Sequence, residues 1–268
     1  MSGNGPRVSV QDLRKSFFDE SRGEVKAVDG VTFSCGPGEV FGLLGANGAG
    51  KTTTLRVLST VLRPTGGSAS VMGHDVLNDP EAVRRSLGFY SASTALYPRL
   101  TGRETLVFFA RINQYPREKV EARVAALVDR FGIREFADAR VEKLSTGMKQ
   151  KISIARTIAH DPPVLIFDEP TVGLDVLNTL EMVKVIRELR DEGKTIIFSS
   201  HIMSEVEKLC DRIGIIHRGR LLALETLDSL RNATGKHYLE DIFVHYVTQA
   251  EGVERAAIGI TGELEDVR

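Results

Sequence analysis

Between an apolar run at residues 40–44 and a helix-forming run that begins at residue 53, the chain reads Gly45-Ala46-Asn47-Gly48-Ala49-Gly50-Lys51-Thr52. This is the P-loop pattern: a glycine, four further residues, and then Gly-Lys-Thr. Its context is the required one, because the run before it predicts a buried strand and the run after it predicts a helix. An ordinary glycine-rich turn between a strand and a helix is the alternative, but such a turn seldom satisfies the whole pattern.

Glycines in such a loop let the backbone turn tightly enough for successive N–H groups to converge on phosphate oxygens. The helix N-terminus adds a favourable dipole for the same anion. In this pattern Lys51 reaches the β- and γ-phosphates, and the hydroxyl of Thr52 ligates Mg²⁺. The sequence therefore predicts a nucleotide-binding protein. The predicted phosphate-binding residues are Gly45, Ala46, Asn47, Gly48, Ala49, Gly50, Lys51, Thr52 and Thr53.

The composition is that of a globular chain. Its 268 residues are 42% apolar and 26% charged, which suits one large domain or a main domain with a subdomain. The formal net charge of −1 argues against bulk electrostatic binding to nucleic acid, because proteins that bind in this way usually carry a basic domain or stripe. We therefore expect no nucleic-acid partner.

Features that would direct the chain to a membrane or an oxidising compartment are lacking. Residues 1–7 do not have the layout of a signal peptide, and no apolar run approaches the roughly 18 residues that a membrane span needs. Cys35 and Cys210 have no metal-binding spacing and are interpreted as buried free thiols, which fits a reducing cytoplasm. If the protein works at a membrane, we expect another chain to supply the spans.

The apolar periodicity changes along the chain. Alternation over residues 7–33 predicts antiparallel strands joined by a hairpin. A capping box at Thr101 and Glu104 begins a mostly helical insert over about residues 97–160. Strands and helices then alternate over residues 164–209, which predicts parallel strands with crossover helices.

These patterns together predict an α/β fold. The main domain, residues 7–224, is expected to be a P-loop NTPase core of mixed sheet and helices, with a helical subdomain and an N-terminal antiparallel β subdomain. Residues 213–224 predict a closing hairpin. Residues 225–268 are weakly patterned and predict a small C-terminal appendage.

An apolar strand that ends in two acids, residues 164–169, provides a second chemical element. Asp168 is placed to hold Mg²⁺ directly or through water. Glu169 would project toward the γ-phosphate, where a carboxylate can polarise the attacking water. Pro170 predicts that Glu169 is extended. The alternative is that the two acids are simply solvated at a strand end. Their occurrence together with a P-loop argues against it.

A third element is the polar turn Leu144-Ser145-Thr146-Gly147-Met148-Lys149-Gln150-Lys151, which runs directly into a helix. The hydroxyl of Ser145 and the free N–H groups at the helix start form a second anion site. Taken alone, this turn is an ordinary helix N-cap.

The order of these elements is what makes the pattern specific. The P-loop, the polar turn, the acid-ended strand, the turn Gly173-Leu174-Asp175 and the strand end Ser199-Ser200-His201 follow one another over roughly residues 8–224. In this order they resemble the ATP-binding subunit of an ABC transporter. The resemblance implies ATP and Mg²⁺ as ligands, Thr52 and Asp168 at the metal, and Glu169 as general base.

The resemblance also implies roles for residues outside the P-loop. His201 would contact the γ-phosphate and hold Glu169 and the water in line. Ser145 and Gly147 would contact the γ-phosphate bound by a second subunit, and Asp175 would lie between the two sites. Phe17 fits the aromatic residue that stacks on adenine, although a core phenylalanine is a serious alternative.

Two departures from the family pattern narrow the resemblance to one branch of the family. The polar turn has Thr146 and Met148 where the family has glycine and glutamine, and Ala92 stands where a glutamine normally touches Mg²⁺. Alanine cannot ligate a metal, so Ser91, Ser93, Thr94 or water would have to substitute. These departures, and the segments at residues 226–230 and 239–243, resemble the branch that serves ABC-2 exporters, including sodium exporters.

The implied assembly is a pair of ATP-binding subunits beneath a separate membrane-spanning permease subunit, at the cytoplasmic face of the membrane. The expected dock is the cleft between the helical insert and residues 89–98, where Tyr97 either meets the partner or packs in the core. One alternative is a soluble ABC-type ATPase acting on ribosomes or DNA. Another is a P-loop kinase or GTPase, which would leave the polar turn and His201 unexplained.

Overall fold

The computed structural model of the chain describes residues 5–21 and 23–257. The strands are β1 (Val8–Asp19), β2 (Gly23–Cys35), β3 (Val40–Leu44), β4 (Gly66–Val71), β5 (His74–Asp75), β6 (Leu87–Ser91), β7 (Val164–Asp168), β8 (Thr195–Ser200), β9 (Arg212–His217) and β10 (Arg220–Glu225). The α-helices are α1 (Lys51–Leu58), α2 (Pro80–Ser86), α3 (Gly102–Ile112), α4 (Val120–Arg130), α5 (Thr146–Thr157), α6 (Val176–Asp191), α7 (Met203–Leu209), α8 (Leu227–Thr234) and α9 (Leu239–Ala257).

The predicted N-terminal hairpin is present as β1 and β2, which pair antiparallel with Val8 opposite Cys35. Strands β4 and β5 extend the hairpin into a four-stranded sheet with the order β2-β1-β4-β5. This confirms the antiparallel β subdomain. Strands β4 and β5 were not predicted from the sequence, because their small and polar residues carry little apolar alternation.

A six-stranded sheet with the order β10-β9-β3-β8-β7-β6 forms the centre of the fold. Neighbouring strands from β9 to β6 pair in parallel, and only the edge strand β10 is antiparallel. Every residue of β3, β7 and β8 is buried, as expected for parallel strands that are covered on both faces. The predicted α/β core of mixed sheet and helices is therefore confirmed.

Successive residues of β3 and β7 point to opposite faces of this sheet. Leu44 and Phe167 join an apolar core beneath the helices, whereas Leu43 and Ile166 join a second core against the antiparallel sheet and α1. The carboxyl ends of β3, β7 and β8 therefore meet at one edge. Because the P-loop follows β3 and the acid pair lies at the end of β7, the fold brings these two elements together.

The helical insert contains α3, α4 and α5, as predicted. Thr101 and Glu104 form the expected capping box: the Thr101 hydroxyl accepts from the Glu104 N–H at 3.1 Å, and Glu104 Oε2 accepts from the Thr101 N–H at 2.8 Å. The insert thus places the start of α5, which contains the predicted second anion site, on a rigid three-helix unit.

The C-terminal segment contributes to the main core. Leu230 on α8 and Leu239 and Ile242 on α9 are fully buried, and they join the same apolar cluster as α7. Gly235, in the left-handed conformation at φ 68°, ends α8 and turns the chain toward α9. The boundary at residue 224 stays a prediction, but the segment beyond it packs against the apolar core beneath the six-stranded sheet.

We expect Leu239→Ala to lower the free energy of unfolding by about 2–5 kcal/mol, because it empties a fully buried site in this core. Val244→Ala on the same helix is the matched control, since Val244 is 59% exposed and its truncation should cost much less. Urea denaturation measures both values. If Leu239→Ala lowered the free energy of unfolding as little as Val244→Ala does, Leu239 would contribute nothing to the core.

Candidate nucleotide-binding and catalytic site

The P-loop connects β3 to α1, and its shape depends on two glycines. Gly50 precedes α1 with φ 108°, and a Cβ on it would lie 2.5 Å from the carbonyl oxygen of Ala27. A Cβ on Gly45 would lie 2.5 Å from the carbonyl oxygen of Ile216. Neither position can hold a side chain without moving backbone, so the close approach of the loop to β2 and β9 explains these glycines.

Lys51, the first residue of α1, is only 4% exposed. Its ammonium group donates to the carbonyl oxygens of Gly45 at 2.6 Å and Ala46 at 3.2 Å, and it lies 3.2 Å from Oε1 of Glu169. The structure therefore brings the predicted P-loop lysine and the predicted general base into direct contact.

The two predicted metal ligands also lie side by side. The hydroxyl of Thr52 donates to Oδ1 of Asp168 at 3.1 Å, and the hydroxyl of Ser199 donates to the same oxygen at 2.7 Å. Adjacent ligands of an octahedral Mg²⁺ ion, each at about 2.1 Å, are about 3 Å apart, so this pair has the spacing that the ion needs. One carboxylate and one hydroxyl suit Mg²⁺, which usually keeps several waters and binds substrate phosphates.

Glu169 has an unusual backbone conformation. Its φ is 50°, so the prediction of an extended residue before Pro170 is wrong. Hydrogen bonds hold this left-handed turn: the N–H of Glu169 donates to the carbonyl oxygen of Ser199 at 3.1 Å, and Nε2 of Gln150 donates to the carbonyl oxygen of Pro170 at 2.7 Å. A left-handed non-glycine residue costs about 1–2 kcal/mol, which these contacts offset.

The other carboxylate oxygen of Glu169 faces the predicted histidine. Nδ1 of His201 lies 2.9 Å from Oε2 of Glu169, a hydrogen-bond distance. This contact suits a histidine tautomer whose Nδ1–H donates to the carboxylate. Lys51, Glu169 and His201 thus form one continuous chain of polar contacts.

Three predicted residues lie outside this chain of contacts and serve as helix caps or neighbours of caps. Ser145 begins α5 and accepts from the N–H of Met148 at 3.3 Å, with Gly147 in the same turn. Asp175 begins α6, and the N–H of Asn178 and then its side-chain amide hold the pKa of the Asp175 carboxyl below its usual range. Their roles toward a second subunit stay predictions.

Phe17 lies on β1 and is 41% exposed, so the alternative of a core phenylalanine is wrong. The ammonium of Lys15 lies 4.9 Å from the centre of its ring. An exposed aromatic face is what stacking on adenine would need, and this role stays a prediction.

Sequence reasoning gave no role to Ser199 and left the substitute for the missing glutamine open. In the sheet Asp168 lies between Ser199 of β8 and Ser91 of β6, so both serines flank the aspartate at the carboxyl edge of the sheet. Ser91 is buried and its hydroxyl lies 3.0 Å from that of Ser93. The strand register places Ser91 beside Asp168, which no local sequence pattern indicates, and the choice among Ser91, Ser93, Thr94 and water as the substitute for the glutamine stays a prediction.

The fold and the P-loop site together define a P-loop nucleoside triphosphatase. A family model described as ABC transporter matches residues 28–172. The chain belongs to this family as an ATP-binding domain, and it is an ATPase of the ABC type. None of the helices in the described ranges combines the length and apolar character that a membrane crossing requires.

Two curated relatives cover most of the chain. The chain is 40% identical over 238 residues to the ABC transporter ATP-binding protein NatA of Bacillus subtilis, and the alignment covers 88% of this chain and 96% of that protein. It is 37% identical to the daunorubicin/doxorubicin resistance ATP-binding protein DrrA of Streptomyces peucetius, over 88% of this chain and 72% of that protein.

Solved structures agree with the fold. A structure of the ATP binding subunit of an ABC transporter superposes with a TM-score of 0.82 at 30% identity, covering 90% of this chain and 99% of that one. A dimeric ATP-binding cassette bound to ADP and Pi superposes with a TM-score of 0.75 at 23% identity, over 82% of this chain and 98% of that chain.

We expect Lys51→Ala to weaken nucleotide binding, because it removes the buried positive charge that faces the phosphates. Lys184→Ala, which removes a side chain that is 77% exposed on α6, is the control and should bind nucleotide normally. Isothermal titration calorimetry with ATP gives both dissociation constants. Equal values would show that the P-loop does not hold the nucleotide.

Proposed function

We propose that this chain hydrolyses ATP with Glu169 as general base and drives transport through a separate membrane-spanning subunit. The observation that carries the proposal is the contact chain from Lys51 through Glu169 to His201, beside the Thr52–Asp168 pair. The alternative hypothesis of a kinase or GTPase leaves His201 and the polar turn before α5 without a role.

The residues of the site divide the chemistry among them. Lys51 and the P-loop N–H groups bind the phosphates, and Thr52 and Asp168 hold Mg²⁺, which would neutralise charge on the phosphate oxygens. Glu169 accepts the proton of the attacking water, and His201 fixes the carboxylate through its 2.9 Å contact. Phosphate oxygens compete with Glu169 for the Lys51 ammonium, so ATP binding would free the carboxylate to meet the water.

The proposed working unit is a pair of these subunits. Ser145, Gly147 and Asp175 lie at helix starts and take no part in the Lys51–Glu169–His201 contacts, as expected of residues that act on a nucleotide bound by a second subunit. Free N–H groups at the start of α5 attract anions. The dimeric cassette among the similar structures supports this arrangement.

The proposed docking surface for the membrane-spanning subunit is a groove of about 440 Å³ between α3, α5 and the segment after β6. Aromatic residues Phe89, Tyr97 and Phe109 and basic residues Arg56, Arg84 and Arg156 line it. His160 also lines it, but burial lowers the pKa of its imidazole to about 4, so it adds no positive charge at neutral pH. Within the described ranges no acidic residue lines this groove. Such a surface suits a partner helix that carries both apolar and acidic side chains.

Two side chains in this docking groove, Arg156 and Tyr97, illustrate its mixed charged and aromatic character. Arg156 is 5% exposed, its guanidinium lies 4.9 Å from the ring centre of Phe109, and burial lowers its pKa. Tyr97 is 53% exposed and contacts Phe108 edge-on with ring centres 5.7 Å apart. Its exposure favours the interface interpretation of Tyr97 over the core interpretation.

Export is the proposed direction of transport, because the relative DrrA is named for resistance to daunorubicin and doxorubicin. Sodium as the cargo rests only on the resemblance carried by the sequence departures, and it stays a prediction. The membrane location follows from the proposed partner. A soluble ATPase acting on ribosomes or DNA is less favoured, since a transporter partner accounts for the docking groove.

We expect Glu169→Gln to keep ATP affinity and to lower turnover by about 10²–10⁴-fold, because the amide keeps the shape but cannot accept a proton. Steady-state phosphate release and calorimetry measure the two quantities. Size-exclusion chromatography with ATP should also reveal a trapped dimer. Glu135→Gln, an exposed substitution in the loop after α4, is the control. Near-normal turnover in the Glu169 variant would contradict the proposed base.

We expect Tyr97→Ala to abolish co-purification with the proposed membrane-spanning subunit. The isolated subunit should keep its basal ATPase activity and melt within a few degrees of the wild type, because Tyr97 is half exposed. Tyr238→Ala, at a position 63% exposed on another surface, should leave the complex intact. A drop of several degrees in the Tyr97 variant alone would assign this residue to the fold.

A further inference from the structure

Glu205, on the first turn of α7, is a buried carboxylate that the mechanism above does not use. It is 7% exposed, and two hydroxyl groups donate to the same oxygen, Oε2: that of Thr171 at 2.8 Å and that of Ser200 at 3.1 Å. Both donors are themselves buried, at 4% and 2% exposure. One oxygen atom therefore joins two segments that are far apart in the sequence.

The two joined segments are those that carry the catalytic pair. Thr171 lies two residues after Glu169, within the turn that holds it in the left-handed conformation. Ser200 immediately precedes His201, and its hydroxyl also accepts from the N–H of Ile202 at 2.9 Å, so hydrogen bonds fix the backbone on both sides of the histidine. Glu205 thus fixes the positions from which Glu169 and His201 reach each other.

Glu205 is buried without an ion-pair partner among the described residues, and burying an unpaired carboxyl group costs more than burying an apolar side chain. A purely structural role is also conceivable: an acid in the first turn of α7 interacts favourably with the helix dipole. That role requires the negative charge, whereas the bridge requires only an acceptor oxygen.

We propose that Glu205 is a positioning residue for ATP hydrolysis, which sets the relative placement of Glu169 and His201 through Thr171 and Ser200. The proposal rests on the proposed roles of Glu169 and His201. The positioning role predicts different outcomes for two substitutions of Glu205. Glutamine keeps a carbonyl oxygen able to accept from both hydroxyls, whereas alanine removes the acceptor.

The test compares Glu205→Ala with Glu205→Gln in steady-state ATPase assays. Because a displacement of about 1 Å in an active site can cost 10²-fold, we expect Glu205→Ala to lower kcat by about 10–100-fold with KM for ATP nearly unchanged. Glu205→Gln should restore most of kcat. If the charge on α7 were what matters, both variants would lose activity equally, and that result would overturn the proposal.

Further variants separate the bridge from general damage to α7. Glu207→Ala, on the same helix, removes contacts to the N–H of Leu239 and to Arg231, and should keep normal kcat. Ser200→Ala and Thr171→Val each remove one donor and should lower kcat separately. Combined with Glu205→Ala they should add little, because the three groups act as one unit. These two variants also decide the matter if Glu205→Ala does not fold.

Parallel assay of Glu169→Gln separates this inference from the proposed function. Loss of turnover in Glu169→Gln with normal kcat in Glu205→Ala, Ser200→Ala and Thr171→Val would overturn the positioning role alone. Turnover in Glu169→Gln would instead overturn the catalytic assignment on which the positioning role rests.

Discussion

The contact between the Glu169 carboxylate and its two partners is the interaction on which the site depends. One oxygen lies 3.2 Å from the Lys51 ammonium and the other lies 2.9 Å from Nδ1 of His201. Lys51 lies at the start of the helix after β3, Glu169 follows β7 and His201 follows β8. These strands are neighbours in the parallel sheet although Lys51 and His201 are more than 100 residues apart in the sequence, so the common carboxyl edge of the sheet brings the three residues together.

The second constraint is the crowding of backbone at this edge. Gly45 and Gly50 have carbonyl oxygens at distances that no Cβ tolerates, and Glu169 adopts a left-handed turn that hydrogen bonds from neighbouring elements stabilise. Strain of this kind persists where surrounding structure fixes it, which is common at catalytic sites. Around Glu169 the groups that hold the turn are the carbonyl oxygen of Ser199 on β8 and the side-chain amide of Gln150 on α5, which come from different elements.

Charge differs between the site around Lys51 and the groove proposed for docking. The catalytic edge pairs Lys51 with a carboxylate, whereas the docking groove lined by Arg56, Arg84 and Arg156 has basic and aromatic side chains without acids within the described ranges. Coulombic complementarity of this kind mainly governs which partner binds and in which orientation. The docking groove borders the segment after β6. The last residue of β6 itself, Ser91, lies beside Asp168 in the sheet. A partner bound there would contact the segment that leads to the metal site.

The sequence by itself determined the local features: the P-loop, the capping box at Thr101, the buried strand that ends at Asp168, and the order of elements that identifies the family. These depend on spacing within a few residues, because caps, turns and apolar periodicity are local in origin. Only the tertiary structure decided the conformation of Glu169, the row of Ser91, Asp168 and Ser199, the bridge at Glu205 and the burial of α9. Those features depend on strand register and on packing between segments distant in the chain, which no local pattern specifies.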